Sequence, residues 1–174
     1  EVIKNQIFNF FNNSIKAQFV YSNKQIDDKY ILSNSVAKIP IVISTKNNKN
    51  YITDLSTLNN ITIGVLSNLG ILSSLEKDYP NINFIKIQSI DEGLYKLKIN
   101  KIFGLIDNIY TISNKIVEHQ LNELKINTTL NYKIDMFLQV NKEHKDFIDL
   151  INIAISTLTE KEKSIILNNY QFIL

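Results

Sequence analysis

The chain has 174 residues, 44 % apolar and 21 % charged, with 19 basic side chains, all lysine, against 17 acidic ones and a net charge of +2. That is enough chain for one domain or two small lobes around a sizeable core, while the even spread of lysines among acids, with no arginine fork, disfavours a nucleic-acid or phosphate partner. The absence of cysteine excludes disulfides, thiolate metal sites and cysteine nucleophiles, and no apolar run approaches the roughly 20 residues of a membrane helix.

Residues 3–13 place Ile3, Ile7, Phe10 and Phe11 near the helical period and predict an amphipathic helix. Residues 17–21 read as a short strand, 22–35 as polar and turn-rich, and 39–45 (IPIVIST) as a buried strand followed by an exposed Lys–Asn connector. Strands are predicted at 61–66, 82–87, 102–106, 124–127 and 134–140. Between them lie helical patterns. Residues 70–79 carry Ile71, Leu72 and Leu75 on one face and stop at Pro80. The next helix opens at Ser89, with Glu92 at capping-box spacing, and runs to Lys98. Residues 110–122 turn Ile112 and Ile116 inward. Phe147, Leu150, Ile151, Ala154 and Leu158 trace a further helix face, and Thr159 with Glu162 opens a last short helix. This alternation predicts an α/β fold with a doubly wound, mostly parallel sheet, whose ligand crevice lies at the carboxyl ends of the strands.

An ordered set of segments carries a resemblance. Tyr30-Ile31-Leu32-Ser33 precedes the apolar run Ile41-Val42-Ile43-Ser44-Thr45. Asp54-Leu55 precedes Ile61-Thr62-Ile63-Gly64-Val65. Leu75-Glu76-Lys77-Asp78-Tyr79-Pro80 is followed by 89–97, then by Asn100-Lys101-Ile102-Phe103-Gly104-Leu105-Ile106-Asp107, and finally by Phe137-Leu138-Gln139-Val140-Asn141-Lys142 and 147–158. In this order the chain is similar to the type 2 periplasmic solute-binding proteins, in the branch used as sensor domains of bacterial histidine kinases and related signalling proteins. The resemblance implies two lobes with doubly wound, mostly parallel sheets: a partial first lobe at 1–46, a second lobe at 47–133, and a return strand with C-terminal helices packing across the lobes at 134–174. The crossings would fall at 45–51 and 131–134. The first strand, helix and second strand of lobe one would precede Glu1, or that lobe is abbreviated, and its open sheet edge would then favour a homodimer.

The resemblance also nominates a ligand site. Asp107 ends a predicted strand where the family's aspartate takes a ligand amine; the other reading is the N-cap of the next helix. Asn68, Leu69 and Gly70 sit at a strand-to-helix turn suited to an anion, or form a plain turn. In the first lobe the segment 22–29, with Ser22 and Lys24, falls where amino-acid binders hold a carboxylate. The family's arginine position is occupied by Ile26 or Asp27, so Lys24 or Lys29 is left as a point charge, or the loop is simply solvated. Tyr21, Tyr51 and Tyr110 fall near predicted cleft edges, where aromatics either wall a pocket or pack. Phe103, in place of a family aspartate, reads as a core residue. No dinucleotide fingerprint, nucleophile elbow or phosphate loop is present, and His119 and His144 read as solvated. The expectation is a non-enzymatic domain without cofactor, on the periplasmic side of the inner membrane and attached to a membrane protein. It would bind a small molecule, such as an amino acid or organic acid, by lobe closure. An uptake-transporter component and a ligand-less interaction module are the alternatives.

Overall fold

The computed structural model describes residues 17–21, 28–163 and 165. The predicted helix at 3–13, together with Ser22 and Lys24, lies outside them. In chain order the described strands are β1 (Ala17–Tyr21), β2 (Tyr30–Leu32), β3 (Ala37–Lys46), β4 (Thr62–Leu66), β5 (Asn83–Ile87), β6 (Gly104–Asn108) and β7 (Leu124–Asn141). The helices are α1 (Leu72–Asp78), α2 (Ile90–Lys98), α3 (Ile109–Glu118) and α4 (Lys145–Thr157). The chain divides into two compact units, one formed by the chain up to Lys38 and from Asp135 on, the other by Ile39–Ile134. Strand 39–45, placed by sequence with the first lobe, and segment 45–51, expected as a crossing, both count to the second unit. The ladder of β3 with β6 holds the strand there, running from Ile41 opposite Asn108 to Thr45 opposite Gly104.

In the unit Ile39–Ile134, β4 is central to the parallel set, paired with β5 and with β6. β3 runs antiparallel on the far side of β6, and the order continues to β7. Ile39, Ile41, Val42 and Ile43 are fully buried, as a near-continuous apolar strand covered on both faces must be. Glycines let the layers approach. A Cβ on Gly104 would stand 2.6 Å from the Ile43 Cδ1 and 3.2 Å from the Ser44 carbonyl oxygen, and one on Gly93 of α2 would stand 2.6 Å from the Leu105 Cδ1. The capping box at α2 forms: the Ser89 hydroxyl accepts from the Glu92 N–H, and the Glu92 carboxylate reaches back to the Gln88 N–H.

Several elements differ from the sequence reading. Strand 102–106 becomes Gly104–Asn108, because Ile102 and Phe103 complete the turn after α2, where the Phe103 N–H donates to the Thr62 carbonyl at 2.7 Å. Helix 110–122 ends at Glu118. Gln120 takes a left-handed φ of 50°, and the Leu121 N–H closes the end onto the Ile116 carbonyl at 2.9 Å, which is the six-to-one bond of a Schellman motif. The two short strands at 124–127 and 134–140 are one strand of 18 residues, β7. No glycine or proline interrupts 128–133, and Leu130 stays buried within the run.

In the other unit, β1 and β2 pair antiparallel with the second half of β7, Tyr21 facing Met136 and Leu32 facing Gln139. The tract read as polar and turn-rich thus also supplies a strand, since the edge of β7 offers free backbone groups to it. α4 covers this ladder, with Ile148 packed on Leu138 and Val140, and Phe19, Ile31, Phe147 and Ile151 around them. The inward face is centred one residue away from the sequence reading: Ile148 is 2 % exposed and Leu150 is 65 % exposed. Ser33 extends the pairing past β2, donating its N–H to the Leu138 carbonyl and accepting the Leu138 N–H on its hydroxyl, both at 2.9 Å.

Two substitutions test this packing. Gly104→Val forces Ile43 and the Ser44 backbone aside and lowers stability by about 1–3 kcal/mol, read as a fall in denaturant midpoint at unchanged slope. Gln120→Gly removes the strain of a left-handed side-chain-bearing residue and raises stability by about 0.5–1 kcal/mol in the same measurement.

Candidate functional site

Strands β4, β5 and β6 are parallel and in register, Leu66 opposite Ile87 and Val65 opposite Ile106. Their carboxyl ends therefore form one edge of the Ile39–Ile134 unit. Two of the segments nominated by sequence meet at that edge: the turn after β4, and the end of β6 with the start of α3. β6 carries Asp107 there because Gly104, Leu105 and Ile106 are all buried and hold the strand in place through its last residue.

Asp107 is 2 % exposed. Its Oδ1 accepts from the Asn108 N–H at 2.6 Å and from the Asn108 Nδ2 at 3.1 Å. Among the described residues nothing donates to Oδ2, and no lysine or histidine pairs with the carboxylate. Burial pushes the carboxyl up from 3.8 to about 7, against the pull of the two Asn108 bonds. The cap role weighed for Asp107 belongs to its neighbour. Asn108, 1 % exposed, accepts the Thr111 N–H on Oδ1 at 2.9 Å and donates from Nδ2 to the Thr111 hydroxyl at 2.7 Å. With the cap supplied by Asn108, the acid one residue earlier is free of that duty.

After β4, Ser67–Leu69 forms a single 3₁₀ turn closed by Gly70 at a left-handed φ of 67°. This turn separates the nominated segment from α1, which begins only at Leu72 and has no side-chain cap. Asn68 and Gly70 are exposed and Leu69 is buried, so Asn68 is the member of the trio whose polar side chain reaches solvent. Tyr110 is half-buried on the first turn of α3, and burial raises its hydroxyl above the ordinary value. Tyr21 belongs to the other unit, half-buried on β1. Tyr51 is largely exposed, its hydroxyl 3.3 Å from the Thr128 hydroxyl.

Sequence reasoning missed Asn127. It is 4 % exposed and ties down the connector after β3: Oδ1 accepts the Ile52 N–H at 2.7 Å, and Nδ2 donates to the Thr45 hydroxyl and the Asn50 carbonyl, each at 2.9 Å. In an Asn-rich chain nothing local marks this residue; its partners are more than 70 positions away. Also missed was a cavity of about 300 Å³ at the opposite, amino edge of the parallel strands, lined by Lys46, Lys49, Thr62, Lys101 and Phe103 among others. Phe103, read as core, is a half-buried wall of that cavity, with the Lys49 ammonium 5.4 Å from its ring centre, a contact of about 0.5–1 kcal/mol. The cavity does not contain Asp107.

The raised Asp107 carboxyl makes stability fall as pH rises. Between 3.8 and about 7 the folded state holds a proton that the unfolded chain has lost, so stability is full below that window and least above it. Asp107→Asn keeps the Oδ1 acceptor and removes the charge. It is expected to gain on the native protein across the window, by up to about 4 kcal/mol above pH 7 at 1.36 kcal/mol per pH unit, with no gain near pH 4. Denaturant midpoints of both proteins at the two pH extremes check this.

No family model matches the chain, and no curated protein sequence matches it. Solved structures do. The chain is similar to the periplasmic VFT2 domain of BvgS from Bordetella pertussis, with a TM-score of 0.71 at 14 % identity over 96 % of this chain and 72 % of that one. It is similar to the solute receptor for L-cysteine of Neisseria gonorrhoeae, at 0.62 and 15 %, over 88 % of this chain and 61 % of that one. It is similar, too, to the amino acid ABC transporter substrate-binding protein AbpA of Streptococcus pneumoniae bound to L-arginine, at 0.62 and 13 %, over 87 % and 65 %. The chain thus spans about two thirds of the length of these proteins. With its mixed sheet, its parallel β4, β5 and β6 and its two compact units, it has the fold of the type 2 periplasmic solute-binding proteins.

Proposed function

We propose that this chain is an extracytoplasmic solute-binding domain, the sensing part of a bacterial membrane signalling protein, and that it grips an ammonium-bearing small molecule through Asp107. The observation that carries this reading is the carboxylate itself. It lies buried at the carboxyl edge of a parallel sheet, where ligands of open α/β sheets bind, and among the described residues no cation balances it. A buried carboxylate with no balancing cation costs folding energy when ionised, and a ligand ammonium against it would offset that cost and hold the group ionised. Asn68 and Tyr110 stand on the same edge to orient the rest of the solute, and Tyr21, Ser22 and Lys24 are the contributions proposed for the other lobe.

Solved structures of the same fold include proteins named for L-cysteine and bound to L-arginine, which supports a small amino-acid-like solute. The chain's own lack of arginine argues that any ligand carboxylate meets a lysine point charge or backbone N–H groups instead of a bidentate fork. Binding would bias an open–closed equilibrium by differential affinity, which is all that a sensor output needs. The sensor role, in preference to an uptake component, rests on the sequence resemblance.

The test is a thermal-shift and calorimetric screen of amino acids and amines against the chain. At least one ammonium-bearing compound is expected to raise the midpoint near pH 8, with affinity falling roughly tenfold per pH unit well below the Asp107 titration, since the carboxylate must be ionised to bind. Asp107→Asn is expected to lose that response. Stabilisation that survives the substitution, or no response from any ammonium compound, would overturn the assignment and leave an interaction module on the same fold.

A further inference from the structure

The cavity at the amino edge of the Ile39–Ile134 unit is distinct from the Asp107 edge by topology. Thr62 opens β4 and Phe103 precedes β6, whereas Asp107 lies at the other end of β6. β3 is antiparallel to β6, so its last residue, Lys46, arrives at the amino edge as well. Three lysines from three segments line the space: Lys46 from the end of β3, Lys49 from the connector after it, and Lys101 from the turn between α2 and β6. No aspartate or glutamate lines it.

The pairing pattern sets these lysines apart from others nearby. Lys96 pairs with Glu92 and Lys98 with Glu123, and the Lys125 ammonium donates to the Lys49 carbonyl at 2.7 Å. Among the described residues, Lys46, Lys49 and Lys101 have no carboxylate partner. In a chain whose 19 lysines and 17 acids nearly balance, three unpaired ammonium groups around one concavity make a local positive field, and a concave low-dielectric wall focuses it. The rest of the lining is not that of a bare ion site. Leu97, Ile102 and the Phe103 ring give apolar walls, which suit a carbon skeleton, and about 300 Å³ is the size of a small-molecule site.

We infer that this cavity binds a small organic polycarboxylate, its carboxylates met by Lys46, Lys49 and Lys101 and its carbon chain laid against Phe103. Lysines serve as independent point charges, so the site selects for the number of negative groups more than for their planar geometry.

Citrate is the probe, titrated calorimetrically into the chain at a fixed ionic strength of about 0.15 M, with acetate and inorganic phosphate as comparators. Saturable one-to-one binding of citrate is expected, at least tenfold tighter than either comparator. Lys46→Gln with Lys101→Gln should weaken it at least tenfold, while Asp107→Asn and the exposed Lys133→Gln leave it unchanged; the Asp107 result separates this site from the proposed solute site. Lys101→Gln alone, a change at an exposed side chain, should weaken binding severalfold and serves if the double variant fails to fold. Citrate binding no better than acetate or phosphate, or a loss as large in Lys133→Gln as in the cavity variants, would overturn the inference.

Discussion

The pairing of β3 with β6 is the constraint on which the Ile39–Ile134 unit depends. Ile41, Val42, Ile43, Leu105 and Ile106 are all fully buried, so neither strand has a solvent face to slip toward. Gly104 lets Ile43 close the ladder at one end. At the other end the same pairing sets Val42 opposite Asp107, which carries a charged residue into a place that the hydrophobic effect alone would have filled with another aliphatic side chain.

The chemistry of Asp107 follows from that placement. A carboxylate in this position is either neutralised or balanced. Among the described residues it has only the two Asn108 donors, and these compete with burial without overcoming it. Asn108 meanwhile caps α3 through Thr111, so the peptide after the acid is rigidly fixed. A carboxyl pushed up to about 7 by burial, at the carboxyl edge of a parallel sheet, is the feature on which the proposed ammonium site rests.

The two edges of this one sheet differ in charge character. The carboxyl edge holds a buried acid and the exposed Asn68, while the amino edge holds a cavity with three lysines and no acid. Sheet direction produces the separation: β4 and β6 start at the amino edge, and the antiparallel β3 delivers its last residues there. Asn127 then pins the connector after β3 from below, through Thr45, Asn50 and the Ile52 N–H, which fixes the segment that carries Lys49.

The sequence by itself determined the α/β alternation, the parallel set at 61–87 with its capped helix at Ser89, and Asp107 at the end of a buried strand. Each of these is written in local periodicity, cap spacing or the order of apolar runs, which neighbouring residues express without outside help. Only the tertiary structure decided that β7 is one strand, that Gln120 turns left-handed, that α4 rests on Ile148 with Leu150 outward, and that Asn108 takes the cap. Only it, too, brought Asn127 to Thr45 and Lys46 to Lys101. Those outcomes depend on partners tens of residues away. A single chain of residue types records what each segment prefers, and the distant contacts decide which preference prevails.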